Sequence, residues 1–140
     1  MRYLILITLV ACGPKHLVVT WVSAGTNTSE RIEIESSGQG RYTSATDGVP
    51  EKNERVVLSR SQLDELAEMF RSHRVCELAE DPAYTPVAGE GKISLELAFP
   101  DQRCKVVLWN FEWQRGRAKD VTETMRSMRP LRVPRSQRSR

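Results

Sequence analysis

The pattern of hydrophobic and polar positions predicts a series of short strands in the first half of the chain. Residues 17–22 are mostly apolar and β-branched with no helical spacing, which is typical of a buried strand. Residues 31–35 alternate between charged side chains and isoleucine, as a half-exposed antiparallel strand does. Two further strands are predicted at 41–43 and 54–58. The polar segments between these strands predict turns or loops at 23–29, 36–40 and 44–53.

The spacing of apolar residues changes to a helical period after Ser59. Ser59 and Gln62 have the spacing of a capping box, in which each side chain accepts a hydrogen bond from the other residue's backbone amide. The pattern predicts a helix over 60–73. Its apolar face carries residues at intervals of three or four: Leu63, Leu66, Ala67 and Phe70.

The remaining part of the chain predicts a hairpin and a second helix. Residues 93–99 alternate again, and after a short turn residues 103–109 run back as the partner strand. Helical spacing returns over 118–128, and Pro130 ends the pattern. These elements favour an α+β fold, in which an antiparallel meander and a hairpin form one sheet that is packed by two helices on one face.

The first eleven residues have the layout of an export signal. Arg2 precedes an apolar stretch over 3–11, which is far shorter than the ~20 residues that a helix needs to cross a bilayer. The stretch ends in Leu9-Val10-Ala11-Cys12, which resembles the lipobox of bacterial lipoproteins. The resemblance implies that the leader is removed before Cys12 and that the Cys12 thiol carries diacylglycerol. A further acyl chain such as palmitate on the new amino terminus would make membrane residence stable.

The same resemblance predicts the compartment and the domain organisation. Gly13, in place of an aspartate after the cysteine, favours the outer membrane over the inner membrane of the cell envelope. The chain of 140 residues, with 39% hydrophobic and 28% charged positions, fits one domain. We expect a signal peptide at 1–11, a lipidated tether at 12–16, a single domain at 17–128 and a basic disordered tail at 129–140.

Cys76 and Cys104 are the thiols that remain after lipidation of Cys12. Export places them where disulfides persist, so one bridge is the simplest interpretation. Two free buried thiols are an alternative. A metal site is another, because His73 lies three residues before Cys76, but the neighbourhood has too few further ligands for structural zinc. We expect no metal and no cofactor.

The domain also resembles small uncharacterised bacterial lipoproteins over residues 54–113. The shared features are a β-meander, a helix that opens with Leu-Ser, a cysteine after it, and a hairpin that carries a second cysteine and a Leu-Trp pair. In this sequence they are Leu58-Ser59, Cys76, Cys104 and Leu108-Trp109. The resemblance supports the fold and the bridge, and it implies no activity.

Three aromatic residues, Trp109, Phe111 and Trp113, recur at every second position after the hairpin. On a continuing strand they would share a face and could stack a sugar ring or pack against a partner. The structural alternative is that they pack beneath the C-terminal helix, since large aromatic side chains dominate small cores.

Positive charge is concentrated at the carboxyl end. The net charge is +3, and six arginines with no acidic residue lie between Arg126 and Arg140, so the remainder is slightly acidic. The segment suits an anionic envelope lipid or polymer, in a salt-dependent manner, whereas an exported protein rarely meets nucleic acid. A solubilising tail without a partner is the alternative. The candidate binding residues are Arg129, Arg132, Arg135, Arg138 and Arg140.

No catalytic set stands out in the sequence. Its two histidines, His16 and His73, lie beside the tether and at a helix end, so a Ser-His-Asp arrangement would need one of them to sit in a formed cleft. We therefore expect a lipid-anchored envelope protein that acts as a non-enzymatic binding or structural module. The alternative is an exported hydrolase or hydrolase inhibitor, which would need a cleft near the acidic residues at 77–81 or near Trp113.

Overall fold

A computed structural model describes residues 15–129 of the chain. The predicted leader, Cys12 and the arginines at 132, 135, 138 and 140 lie outside these residues. The described part contains six strands and two helices, in the order β1 (Val18–Ala24), β2 (Thr28–Ile34), β3 (Gln39–Thr46), β4 (Val49–Val57), α1 (Arg60–Ser72), β5 (Lys92–Ala98), β6 (Arg103–Trp109) and α2 (Gly116–Ser127).

The six strands form one antiparallel sheet in the order β4-β3-β2-β1-β5-β6. The amino-terminal strand β1 lies inside the sheet, where it pairs with β2 on one side and β5 on the other. Trp21 of β1 lies opposite Ile32 of β2 and Leu95 of β5, so apolar side chains meet across neighbouring strands. The predicted α+β class, with meander and hairpin in one sheet, is confirmed.

The hydrophobic core lies on one face of this sheet. Alternate residues of each strand point to that face, and both helices contribute apolar side chains to the same core. The largest fully buried side chains are Trp21, Trp113, Phe70, Phe99, Ile32 and Ile34. The opposite face of the sheet carries no helix of the described chain. It presents a row of mostly charged residues in register: Arg55, Arg41, Glu33, Thr20, Glu96 and Lys105.

Helix α1 begins where the sequence predicts. The Ser59 hydroxyl accepts a hydrogen bond from the Gln62 amide at 3.2 Å, and the Gln62 side chain accepts one from the Ser59 amide at 2.8 Å. This capping box satisfies two amides that a helix start otherwise leaves unpaired. Leu63, Leu66 and Phe70 are buried against the sheet, as the periodicity predicts.

The two helices cross the sheet in opposite directions. Helix α1 starts after the edge strand β4, and the turn that follows it is joined to the other edge strand by the disulfide between Cys76 and Cys104. Helix α2 starts beyond β6, and Arg129 just after it contacts Glu30 of β2. The disulfide therefore ties the edge strand β6 to the helical layer, and the Arg129–Glu30 contact ties the interior strand β2 to it.

The predicted loop at 44–53 is wrong, because β3 and β4 extend through it as a long hairpin. The turn falls at Asp47-Gly48, where Gly48 has a φ of 74°, a conformation that glycine adopts without steric cost. Only Val56 of β4 is buried, so polar residues occupy both faces of the hairpin and no apolar alternation marks it. The loop predicted at 23–29 is also too long, since β2 starts at Thr28.

Candidate functional site

The cysteines of the domain form a disulfide. The Sγ atoms of Cys76 and Cys104 are joined, and the bridge connects a short 3₁₀ turn, Val75–Glu77, to strand β6. Of the three alternatives that the sequence left open for these cysteines, namely a bridge, two free thiols and a metal site, the structure contains the bridge. Within residues 15–129, no group of three or more His, Cys, Asp and Glu side chains is arranged to hold a metal ion.

His73 pairs with a residue of the other helix instead of contributing to a site with Cys76. Its Nε2 lies 2.8 Å from Oδ2 of Asp120 in α2, and its Nδ1 lies 2.9 Å from the carbonyl oxygen of Met69. Both partners are acceptors, so the ring satisfies them best when both nitrogens carry a proton. Its hydrogen bonds to Asp120 and Met69 raise the pKa of His73 above its ordinary value of 6.5.

This pair predicts a pH-dependent contribution to stability. A raised pKa in the folded state means that the stabilisation is complete below the ordinary pKa and is lost as pH rises through the folded pKa. We expect the melting temperature of the wild-type protein to fall slightly more than that of an Asp120→Asn variant as pH rises above 6.5. Thermal denaturation of both proteins at a series of pH values measures this difference. The effect is small because Asp120 is largely exposed. Identical pH profiles for the two proteins would contradict it.

The three aromatic residues do not form one row, because the strand that would align them ends at Trp109. Trp113 lies in a second 3₁₀ turn, Glu112–Gln114, and is fully buried. Its Nε1 donates to the carbonyl of Ile93 at 3.0 Å, and its ring packs edge-on against Trp21 at a centroid distance of 5.1 Å. Trp109 is partly buried beneath the ammonium group of Lys92. Only Phe111 remains 41% exposed.

Glu90 connects the loop between α1 and β5 to the segment that follows β6. One carboxylate oxygen accepts a hydrogen bond from the Phe111 amide at 2.8 Å, and the other accepts from the Tyr84 hydroxyl at 2.6 Å and the Val87 amide at 3.1 Å. Burial alone would raise the pKa of Glu90, but these three hydrogen bonds outweigh it and the pKa is lowered. Burial and the bond to Glu90 raise the pKa of Tyr84 to about 12.

Glu112 makes a second connection of the same kind. It accepts hydrogen bonds from the amide of Asp81 at 2.7 Å and from the amide of Trp109 at 3.0 Å. The loop between α1 and β5 is therefore held at two points by carboxylates that bind backbone amides. No local sequence pattern marks Glu90 or Glu112, because each also binds an amide that is distant in sequence: that of Phe111 for Glu90 and that of Asp81 for Glu112.

A cleft of about 350 Å³, called the loop-end cleft below, lies between these connected segments. Val87 to Gly91 form one wall, Asn110 and Phe111 another, and the end of β1 with the start of β2 the rest. Gly91 allows the close approach of the walls, since a Cβ there would lie 1.9 Å from the carbonyl oxygen of Ala24. The cleft is lined by Phe111, Val87, Ile93, Asn110, Ser23 and Thr28, among others.

A second cleft, of about 310 Å³, lies beside Glu77 and the disulfide. The carboxylate of Glu77 is 2.6 Å from the guanidinium of Arg74, and Asp101 across the cleft is 2.7 Å from that of Arg71. Both acids are thus neutralised by arginine at an exposed surface. This arrangement resembles ordinary surface ion pairs more than a pair of carboxylates poised for acid–base catalysis.

Arg129, the first arginine of the predicted tail, is bound to the domain. Its guanidinium contacts the carboxylate of Glu30, which also accepts a hydrogen bond from the Tyr42 hydroxyl at 3.1 Å. Burial raises the pKa of Tyr42. Arg129 is therefore directed towards the sheet, and the described part of the chain ends beside β2.

No model of a known protein family matches this chain, and no curated protein is significantly similar to it. Among residues 15–129, no helix is long and apolar enough to span a bilayer.

Proposed function

We propose that this chain is a lipid-anchored protein of the bacterial cell envelope, in the outer membrane, whose domain is a non-enzymatic binding module. The observation that carries the binding part is the loop-end cleft, where Phe111 is exposed beside walls that the carboxylate of Glu90 joins. Leu9-Val10-Ala11-Cys12 carries the anchoring part, and the disulfide fits an oxidising compartment outside the cytoplasm.

The position of the cleft in the fold suits a protein held at its amino terminus. The chain enters the sheet at Val18, and the cleft lies at the other end of the same strand, next to Ala24. Seven residues of strand separate these points by about 20 Å. A lipid on Cys12 would therefore hold the entry end towards the membrane and direct the loop-end cleft away from it.

An anionic component of the envelope is the proposed partner of the arginines at the carboxyl end. The arginines at 132, 135, 138 and 140 lie outside the described residues, and Arg129 contacts Glu30 of β2. Both an anionic lipid and an anionic polymer of the envelope offer the negative charge that a cluster of arginines attracts. Either is therefore a candidate partner.

The anchoring proposal predicts distinct locations for two variants. Cys12→Ser should block lipid attachment and leader removal, so the chain keeps its larger mass and is missing from the outer-membrane fraction. Gly13→Asp keeps the lipidated cysteine and, by the resemblance to lipoproteins, should shift the protein to the inner membrane. Fractionation of cell envelopes with detection of the chain measures both.

The wild-type protein provides the reference in that experiment. It should appear in the outer-membrane fraction at the mass of the shortened, lipidated chain. If wild type and Cys12→Ser were found in the same fraction at the same mass, the anchoring proposal would be wrong.

A further inference from the structure

We infer that the loop-end cleft binds one ring of an uncharged sugar within an envelope glycan, with Phe111 stacking on the face of the ring. The inference rests on the proposed function and names the ligand class of its binding site. Its support comes from the chemistry of the lining, the rigidity of the walls and the exposure of Phe111.

The lining suits a neutral ligand that has both polar and apolar faces. Among the described residues that line the cleft, Glu90 alone is charged, and both of its oxygens already accept hydrogen bonds from Tyr84, Val87 and Phe111. The remaining polar side chains are the amide of Asn110 and the hydroxyls of Ser23 and Thr28. Such groups fix the orientation of a ligand by hydrogen bonds without selecting for charge.

The apolar part of the lining suits a ring. Phe111 and Val87 are 41% and 56% exposed, although Trp113 two positions after Phe111 is fully buried. An aromatic side chain beside a cleft offers a flat apolar surface, and the C–H face of a pyranose ring is the matching surface of a sugar. The volume of about 350 Å³ falls in the range of about 300–1,000 Å³ that ligand clefts occupy.

The walls of the cleft are held in place before any ligand binds. Glu90 fixes the backbone of Val87 on one wall to that of Phe111 on the other, and the backbone N–H of Asn110 donates to the carbonyl of Gly91 at 3.0 Å. A ligand that enters therefore does not have to order these segments. Such preorganisation increases affinity by reducing the entropic cost of binding.

The probe for a test is tri-N-acetylchitotriose, an uncharged oligomer of N-acetylglucosamine, added to the purified full-length protein. Amide resonances in a ¹⁵N NMR titration report binding, and those of Val87 and Phe111 are the informative ones because both amides bind Glu90. We expect saturable shifts at these amides and at Asn110. Glycerol at the same hydroxyl concentration should produce none, because it has hydroxyls but no ring face.

Two substitutions of Phe111 and one matched control separate stacking from general surface effects. Phe111→Ala should weaken chitotriose binding by about tenfold or more, whereas Phe111→Tyr, which keeps the ring, should stay within about twofold of wild type. Val107→Ala removes another exposed apolar side chain, on strand β6, and should leave binding unchanged. The ¹⁵N spectrum of each variant shows whether it is folded.

Absence of saturable shifts with chitotriose would overturn the inference, as would equal shifts with glycerol or undiminished binding by Phe111→Ala. A photo-reactive residue in place of Phe111 distinguishes, in cells, the proposed binding module from the proposed sugar ligand. Crosslinking to an envelope component that contains no sugar would support the binding module and reject the sugar ligand. If the protein binds chitotriose but wild type and Cys12→Ser are found in the same fraction at the same mass, the ligand class is supported and the lipid anchor is rejected.

Discussion

Trp113→Ala should lower the free energy of unfolding by about 3–5 kcal/mol, the cost that replacing a buried tryptophan by alanine typically carries. Trp113 is fully buried, packs edge-on against Trp21, and donates a hydrogen bond to the Ile93 carbonyl. The substitution leaves a cavity between the sheet and α2 and removes the donor for that carbonyl. Urea denaturation monitored by circular dichroism measures the change.

Phe111→Ala is the control for that measurement. It removes an aromatic side chain two positions away, but one that is 41% exposed, so the change in stability should be within about 0.5–1 kcal/mol. Equal losses for the two variants would mean that Trp113 is not part of the core. The buried position assigned to it would then be wrong.

Removal of the disulfide should also lower the free energy of unfolding by a large amount. The double variant Cys76→Ser with Cys104→Ser opens a loop of 28 positions, and the chain-entropy estimate for such a loop is about 3.5 kcal/mol of stability. The bridge joins the turn after α1 to the edge strand β6, so its removal also loosens the attachment of α1 to that edge of the sheet. Urea denaturation under oxidising conditions compares the variant with wild type.

A reducing agent supplies the control for this effect. Dithiothreitol should destabilise the wild-type protein to a similar extent and leave the double variant unchanged. If the variant were as stable as oxidised wild type, the bridge would not contribute to the folded state as the structure indicates.

Local sequence signals predicted much of the fold. Helix α1 begins at Arg60 as predicted, because the Ser59–Gln62 capping box and the apolar face both act within a few residues. Strand β6 has the predicted bounds, Arg103–Trp109, because one tight turn fixes its pairing with β5. The spacing of Cys76 and Cys104 could not establish their bridge, but export and an even number of thiols favoured it.

The features that the sequence did not reveal depend on distant partners. The hairpin of β3 and β4 continues through polar residues on both faces, so its pairing leaves no hydrophobic alternation to detect. Trp113 is buried, as the packing alternative predicted, but periodicity over five residues could not show the turn after Trp109 that separates Trp113 from the exposed Phe111. Glu90 looks like a loop carboxylate in the sequence, and its importance comes from an amide at Phe111 that lies 21 positions away.

Intact mass spectrometry of the protein purified from its native cells tests directly whether it is lipid-anchored in the envelope. We predict a chain that begins at Cys12, carries diacylglycerol with a further acyl chain, and is lighter by two hydrogens for the bridge between Cys76 and Cys104. An unmodified chain that begins at Met1 and has both thiols free would contradict it.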